Sequence, residues 1–183
     1  YEQAREGEAP RACLPRAAEF GLPLWQLGIR SWCFIDDQHP ACLWFKEGQQ
    51  QPAIFDRRSG ALTPLATPFD HFDGLSSDGT RLFTVAGART TFPTLVALGL
   101  DGSAESLRES SALVLPEGSL AEPEGLSFAT ADGETAHGYF YAPKNASVTA
   151  PATAPPLLVI SHGGPTAATS RALNLKVQFW TSR

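Results

Sequence analysis

Short apolar runs separated by turn residues fill most of this chain, and their spacing predicts strands. From Gly28 onward the runs fall at residues 31–35, 41–45, 53–55 and 62–66, broken by turns at Asp36-Asp37, Gly48-Gln49 and Ser59-Gly60. That pattern predicts a four-stranded antiparallel meander. A second set follows at residues 73–75, 81–86, 94–100 and 106–108, with turns at Asp78-Gly79 and Asp101-Gly102. The sets are in phase: Asp36 and Asp78 are 42 residues apart, and so are Gly60 and Gly102. A period of about 40 to 45 residues with four strands per repeat is the signature of β-propeller blades. A β-sandwich with matched hairpins is the competing architecture. Trp25, Trp32, Phe34, Trp44, Phe45 and Phe55 read as packing within and between blades and not as a ligand cage. Two blades cannot close a ring, so open strand edges and an apolar flank would need further blades before Tyr1.

The pattern changes after the second set. Residues 113–118 read as a passage between domains. Residues 125–130 and 135–142 are strand-like runs around Ala131-Asp132-Gly133-Glu134, an Asp-Gly hairpin signal. The tract 145–156 is rich in Ala, Thr and Pro and reads as an exposed excursion. Then Leu157-Leu158-Val159-Ile160, opened by Pro155-Pro156 and stopped by Gly163-Gly164-Pro165, predicts a fully buried strand that ends abruptly. Beyond it, Leu173, Val177 and Trp180 lie at helical spacing, which predicts a helix over residues 171–180 with Thr169 or Ser170 as its N-cap.

Composition narrows the function classes. The 183 residues are 43% hydrophobic and 18% charged, ordinary globular material, and 16 Gly with 15 Pro favour turn-rich β architecture. No run approaches the roughly 18 to 20 apolar residues of a membrane-spanning helix. A net charge of −5 and a pI near 5.3 argue against a nucleic-acid surface. Cys13, Cys33 and Cys42 are odd in number and lack metal or disulfide spacing, which suggests strand residues in a reducing, cytoplasmic compartment. Asn145-Ala146-Ser147 matches a glycosylation acceptor that matters only in a secretory context. No His/Asp/Glu cluster has metal-ligand spacing, and Pro165 after Gly163-Gly164 removes an N–H that a phosphate-cradling loop would need. The expectation is therefore no cofactor, no metal, no nucleic acid and no membrane. The absence of methionine and the start at Tyr1 suggest an internal or truncated piece.

Chemistry concentrates in Ser161-His162-Gly163-Gly164-Pro165. In α/β-hydrolases the loop after the third strand supplies a backbone N–H to the oxyanion hole, and an HGG sequence is its usual form. The oxyanion must come within roughly 3 Å of that donor, which a Cβ would obstruct. Gly164 is the donor this points to, with Gly163 giving the loop its conformation. Read alone, the same residues also make a tight surface turn. His162 precedes any nucleophile, the wrong order for the base of this fold. It either lines the site or fixes the turn by a hydrogen bond. His39, His71 and His137 read as turn or strand residues. No G-x-S-x-G occurs; Gly74-Leu75-Ser76-Ser77-Asp78 lacks the second glycine.

Residues 160–166, together with Ala172-Leu173-Asn174-Leu175-Lys176-Val177-Gln178-Phe179-Trp180-Thr181-Ser182-Arg183, closely resemble the start of the catalytic domain in the prolyl oligopeptidase family of serine peptidases. The likeness is nearest to the acylaminoacyl-peptidase and dipeptidyl-aminopeptidase-like branch. Glu19-Phe20-Gly21-Leu22-Pro23-Leu24-Trp25 resembles a segment of that branch's propeller, so the resemblance covers nearly the whole chain. It implies a partial β-propeller over residues 1–112, an interdomain crossing over 113–124 and the opening of an α/β-hydrolase domain over 125–183. It implies a short peptide as substrate, admitted past a propeller that excludes folded proteins, and acyl-enzyme chemistry. The serine, aspartate and histidine would lie beyond Arg183, leaving these 183 residues inactive alone. In the family the position of His162 lines the active site. An esterase or lipase of the same fold and a non-enzymatic propeller interaction module are the alternatives, and the blade repeat argues against the first.

Overall fold

Turn chemistry fixes the architecture. Asp36 Oδ1 accepts from the N–H groups of Gln38 (2.7 Å) and His39 (2.8 Å), and Asp56 Oδ1 accepts from Arg58 N–H at 2.8 Å. Asp78 Oδ1 accepts from the N–H groups of Thr80 and Arg81, both 2.8 Å, and Asp101 Oδ1 from Ser103 N–H at 2.9 Å. An aspartate that caps the backbone two or three residues on reverses the chain locally, without help from distant contacts. At Asp78 the Thr80 hydroxyl and these amides hold the carboxyl down at about 2.

The computed structural model describes all residues except 1, 2, 4, 5, 24, 47, 117, 150–152, 165 and 166. In it the turns join β1 (Trp32–Phe34), β2 (Pro40–Lys46), β3 (Gln49–Phe55) and β4 (Leu62–Pro64) into one antiparallel sheet of order β1-β2-β3-β4. A second antiparallel sheet follows with β5 (His71–Ser77), β6 (Arg81–Gly87), β7 (Thr94–Gly99) and β8 (Ala104–Glu109) in the same consecutive order. These are the two meanders that the sequence predicts. Gly74 sits in β5 at φ +70, where the register with β6 shifts between Asp73 and Ser76. A glycine in that conformation is what a bulge requires.

Register decides which faces meet. Cys33, Ala41, Ile54 and Thr63 are successive cross-strand partners and share one face of the first sheet. From that face Ala41 and Leu43 pack with Leu65, Phe72, Leu75, Leu82, Ala86, Val96 and Leu98 in one cluster joining the two sheets. Gln50 reaches across as well, its Oε1 accepting from Phe72 N–H at 2.7 Å. On the opposite face Trp32 pairs with Cys42, and here the aromatics depart from expectation. Phe55 is buried and Trp44 stacks on Phe20 at 6.4 Å, but Trp25, Trp32 and Phe34 are 68%, 55% and 52% exposed. Trp32 and Phe34 line an open cavity together with Asp73, Phe83, Val85 and Leu95 of the second sheet.

β9 (Glu124–Ala129) and β10 (Thr135–Phe140) form the predicted hairpin, with Thr130 N–H donating to the Glu134 carbonyl at 2.8 Å and Gly133 at φ +79. Two expectations for the last part of the chain are corrected. Residues 157–160 form no strand, and Leu157, Leu158, Val159 and Ile160 are 55–78% exposed. A buried strand needs backbone partners on its flanks; β9 and β10 pair only with each other, and among the described residues none pairs with 157–160. The helix is α1 (Leu175–Thr181), shorter than residues 171–180 and capped by Asn174, not by Thr169 or Ser170. Asn174 Oδ1 accepts from Lys176 N–H (3.0 Å) and Val177 N–H (3.4 Å), satisfying two amides that a helix start leaves open.

Four contacts seat this last part on the rest. The Gln178 amide bonds both polar groups of Ala121, accepting from its N–H and donating to its carbonyl, each at 2.8 Å. Tyr139 Oη donates to the Gly48 carbonyl at 2.9 Å, and Leu173 N–H to the Ala88 carbonyl at 2.9 Å. Within the last part itself, Lys144 N–H donates to the Thr181 carbonyl at 2.8 Å. Asn145 is engaged too: Nδ2 donates to the Ser182 carbonyl at 2.7 Å while Oδ1 accepts from Ser147 and Val148 N–H.

Candidate active site

Among the described residues no strand leads into the glycine loop. Gly164 lies at φ +74, where a side chain is strained, and a Cβ built on Gly163 or Gly164 would meet nothing within 4 Å. Its amide is open: among the described residues neither glycine's N–H has a hydrogen-bond partner. His162 and Ser161 are exposed beside it. Pro165 and Thr166, part of the expected motif, lie outside the described residues. The loop lines neither of two cavities found among the described residues.

One of those cavities, of about 410 Å³, opens between the two sheets. Gln50, Thr67, Asp70, Arg89, Thr90 and Glu122 line it. Arg89 Nε donates to Asp70 Oδ2 at 3.1 Å, and the other carboxylate oxygen of Asp70 is buried without a partner. Close by, the Arg171 guanidinium lies 5.7 Å from the centre of the Tyr139 ring, and burial raises the Tyr141 phenol above its ordinary value, with Tyr139 and Asp70 adding to the rise and Arg171 opposing it. Asp70, Arg89, Tyr139 and Arg171 have no sequence motif, because they come from the β4–β5 and β6–β7 connections, β10 and the approach to α1. The Asn174 cap did have a signal: Asn ranks with Ser at this position and stands directly before Leu175. Among the described residues no group of three or more His, Cys, Asp or Glu side chains could hold a metal ion, and no helix is long and apolar enough to cross a membrane.

No family model matches the chain, and no curated protein matches it. Solved structures do. A puromycin-hydrolyzing peptidase of Mycobacterium tuberculosis superimposes with a TM-score of 0.88 at 31% identity, over 97% of this chain and 28% of that one. Puromycin hydrolase gives a TM-score of 0.85 at 30% identity, over 95% of this chain and 27% of the other. The chain belongs to the prolyl oligopeptidase family of serine peptidases. A serine-to-alanine mutant of puromycin hydrolase complexed with PGG matches to the same extent, with a TM-score of 0.85 at 30% identity. This chain spans 27–28% of the length of those structures. As a prolyl oligopeptidase family chain it is, among the described residues, mostly antiparallel sheet with one short helix, and its two four-stranded sheets are consistent with propeller blades of such an enzyme.

Proposed function

We propose that these residues are part of a serine peptidase that cleaves short peptides through an acyl-enzyme, and that Gly164 N–H is one donor of its oxyanion hole. In this reading residues 1–112 belong to a β-propeller, 113–124 cross between domains, and 125–183 open an α/β-hydrolase domain. The observation that carries it is likeness over 97% of the chain, at 31% identity, to a puromycin-hydrolyzing peptidase. The open Gly164 amide, held at φ +74 without steric obstruction, is in keeping with the role. Exposure of residues 157–160 fits a strand whose partners come from further chain, although locally it gives the loop no support. The nucleophile, its histidine base and the orienting aspartate lie beyond Arg183, and His162 lines the site without acting as the base. The 183 residues alone should then hydrolyse no peptide.

Catalysis at the loop would consist of stabilising negative charge as the carbonyl oxygen becomes tetrahedral. A preorganised amide does this without reorganising at the moment of reaction. Proline at 164 would delete the N–H and hold φ near −65°, on the other side of the map from the glycine. In the full-length protein, Gly164→Pro should lower kcat on a short peptide amide by about 100- to 1000-fold. Turnover at the wild-type rate in a folded variant would take Gly164 out of the role.

A further inference from the structure

Two buried polar atoms near the end of β6 have no hydrogen-bond partner and are opposite in kind: Oδ1 of Asp70, an acceptor, and Nε of Arg171, a donor. A native fold rarely leaves such groups unpaired, since each costs free energy that a partner would offset. Both residues flank Gly87. Asp70 N–H donates to the Gly87 carbonyl at 3.1 Å, and a Cβ built on Gly87 would touch Ala172 Cβ at 3.8 Å, one residue from Arg171. The Leu173 bond to Ala88 holds the same stretch against the same strand end. Arg89 fixes the Asp70 carboxylate from its other oxygen, and that side chain is only 19% exposed. Both charges reach Tyr141, where they act in opposite directions.

We propose that Asp70 and Arg171 are a positioning pair, the carboxylate anchoring Arg171 and with it the 171–173 segment between the glycine loop and α1. The proposal rests on reading Gly164 as an oxyanion donor. Arg171 lies against the Tyr139 ring, and its long side chain lets the guanidinium trade the ring for the carboxylate. Neither residue touches the reacting atoms. Their effect is on where the loop sits, and a misplacement of about 1 Å can cost on the order of 100-fold in rate.

The test uses the full-length peptidase and the variants Asp70→Asn, Arg171→Gln and their double, with kcat and KM measured on a short peptide amide. Each single variant should lower kcat by about tenfold with KM within about twofold, and the double should fall no further than the weaker single, because both remove one interaction. Arg171→Lys should restore part of kcat. Losses that multiply in the double variant, a change confined to KM, or an unchanged kcat in either single variant would each overturn the pair. If Arg171→Gln does not fold, the near-isosteric Asp70→Asn combined with Arg171→Lys completes the cycle. Full turnover in Gly164→Pro would sink the reading of the loop and this proposal with it; multiplying losses at 70 and 171 beside a crippled Gly164→Pro would sink the pair alone.

Discussion

Gln178 shows what a single side chain can hold together here. It is 6% exposed, and its amide closes a two-bond ring with the backbone of Ala121, itself 2% exposed. Gln178→Ala would leave one buried donor and one buried acceptor unpaired, each costing about 1–3 kcal/mol. Gln178→Glu keeps the shape but sets a carboxylate oxygen against the Ala121 carbonyl, so it should be no better at neutral pH. Urea unfolding of the two variants checks this, and a wild-type midpoint for either would mean that the bonds contribute nothing net. Helical spacing does not announce this role. A polar residue beside Val177 in a helix with apolar spacing reads as facing solvent, and its partner stands 57 residues earlier.

Among elements, the matched turns were legible because their chemistry is local, whereas their surroundings were not. Gly60 and Gly102 repeat at the period of the two sheets and both have positive φ, +72 and +89. At Gly60 a Cβ would meet nothing within 4 Å, while at Gly102 it would run into the carbonyl oxygen of Ala66 in the β4–β5 connection. Gly60→Ala should therefore cost only the conformational term, about 1–2 kcal/mol. Gly102→Ala should cost about 1–3 kcal/mol more, because backbone must shift to make room. Comparing the two thermal unfolding midpoints measures the difference, and equal losses would show that the connection yields freely. The same division between local and distant causes explains the errors near the glycine loop. The Asp132-Gly133 hairpin needs only its own residues and formed as expected, while the apolar run at 157–160 states what those side chains suit without supplying strands to lie beside.

At the scale of the whole molecule, the repeat revealed two consecutive sheets but not which flanks they leave open. One apolar cluster joins them, yet β1 presents Trp32 and Phe34 in edge-to-face contact at 5.4 Å, both more than half exposed. An apolar flank of this kind drives association when nothing covers it. The 183-residue chain should therefore sediment with a concentration-dependent mass, and Trp32→Arg should shift it toward monomer. A wild-type chain that stays monomeric across the accessible concentration range would show that the flank is inert. The period of 42 pointed to an open apolar flank, because two units cannot close a ring, but a repeat does not say which residues stand on it.

The aspartate-capped reversals share one end of each sheet and satisfy their own backbone, whereas the opposite ends carry the bonds to Tyr139 and Leu173. That asymmetry divides the molecule into a side that can be edited and one that cannot. An epitope, a fluorophore or a spliced peptide placed at residues 58–60 enters a turn whose bonds run to Asp56 and Ala61, while the same cargo near residue 88 would wedge apart two regions that hold each other in place.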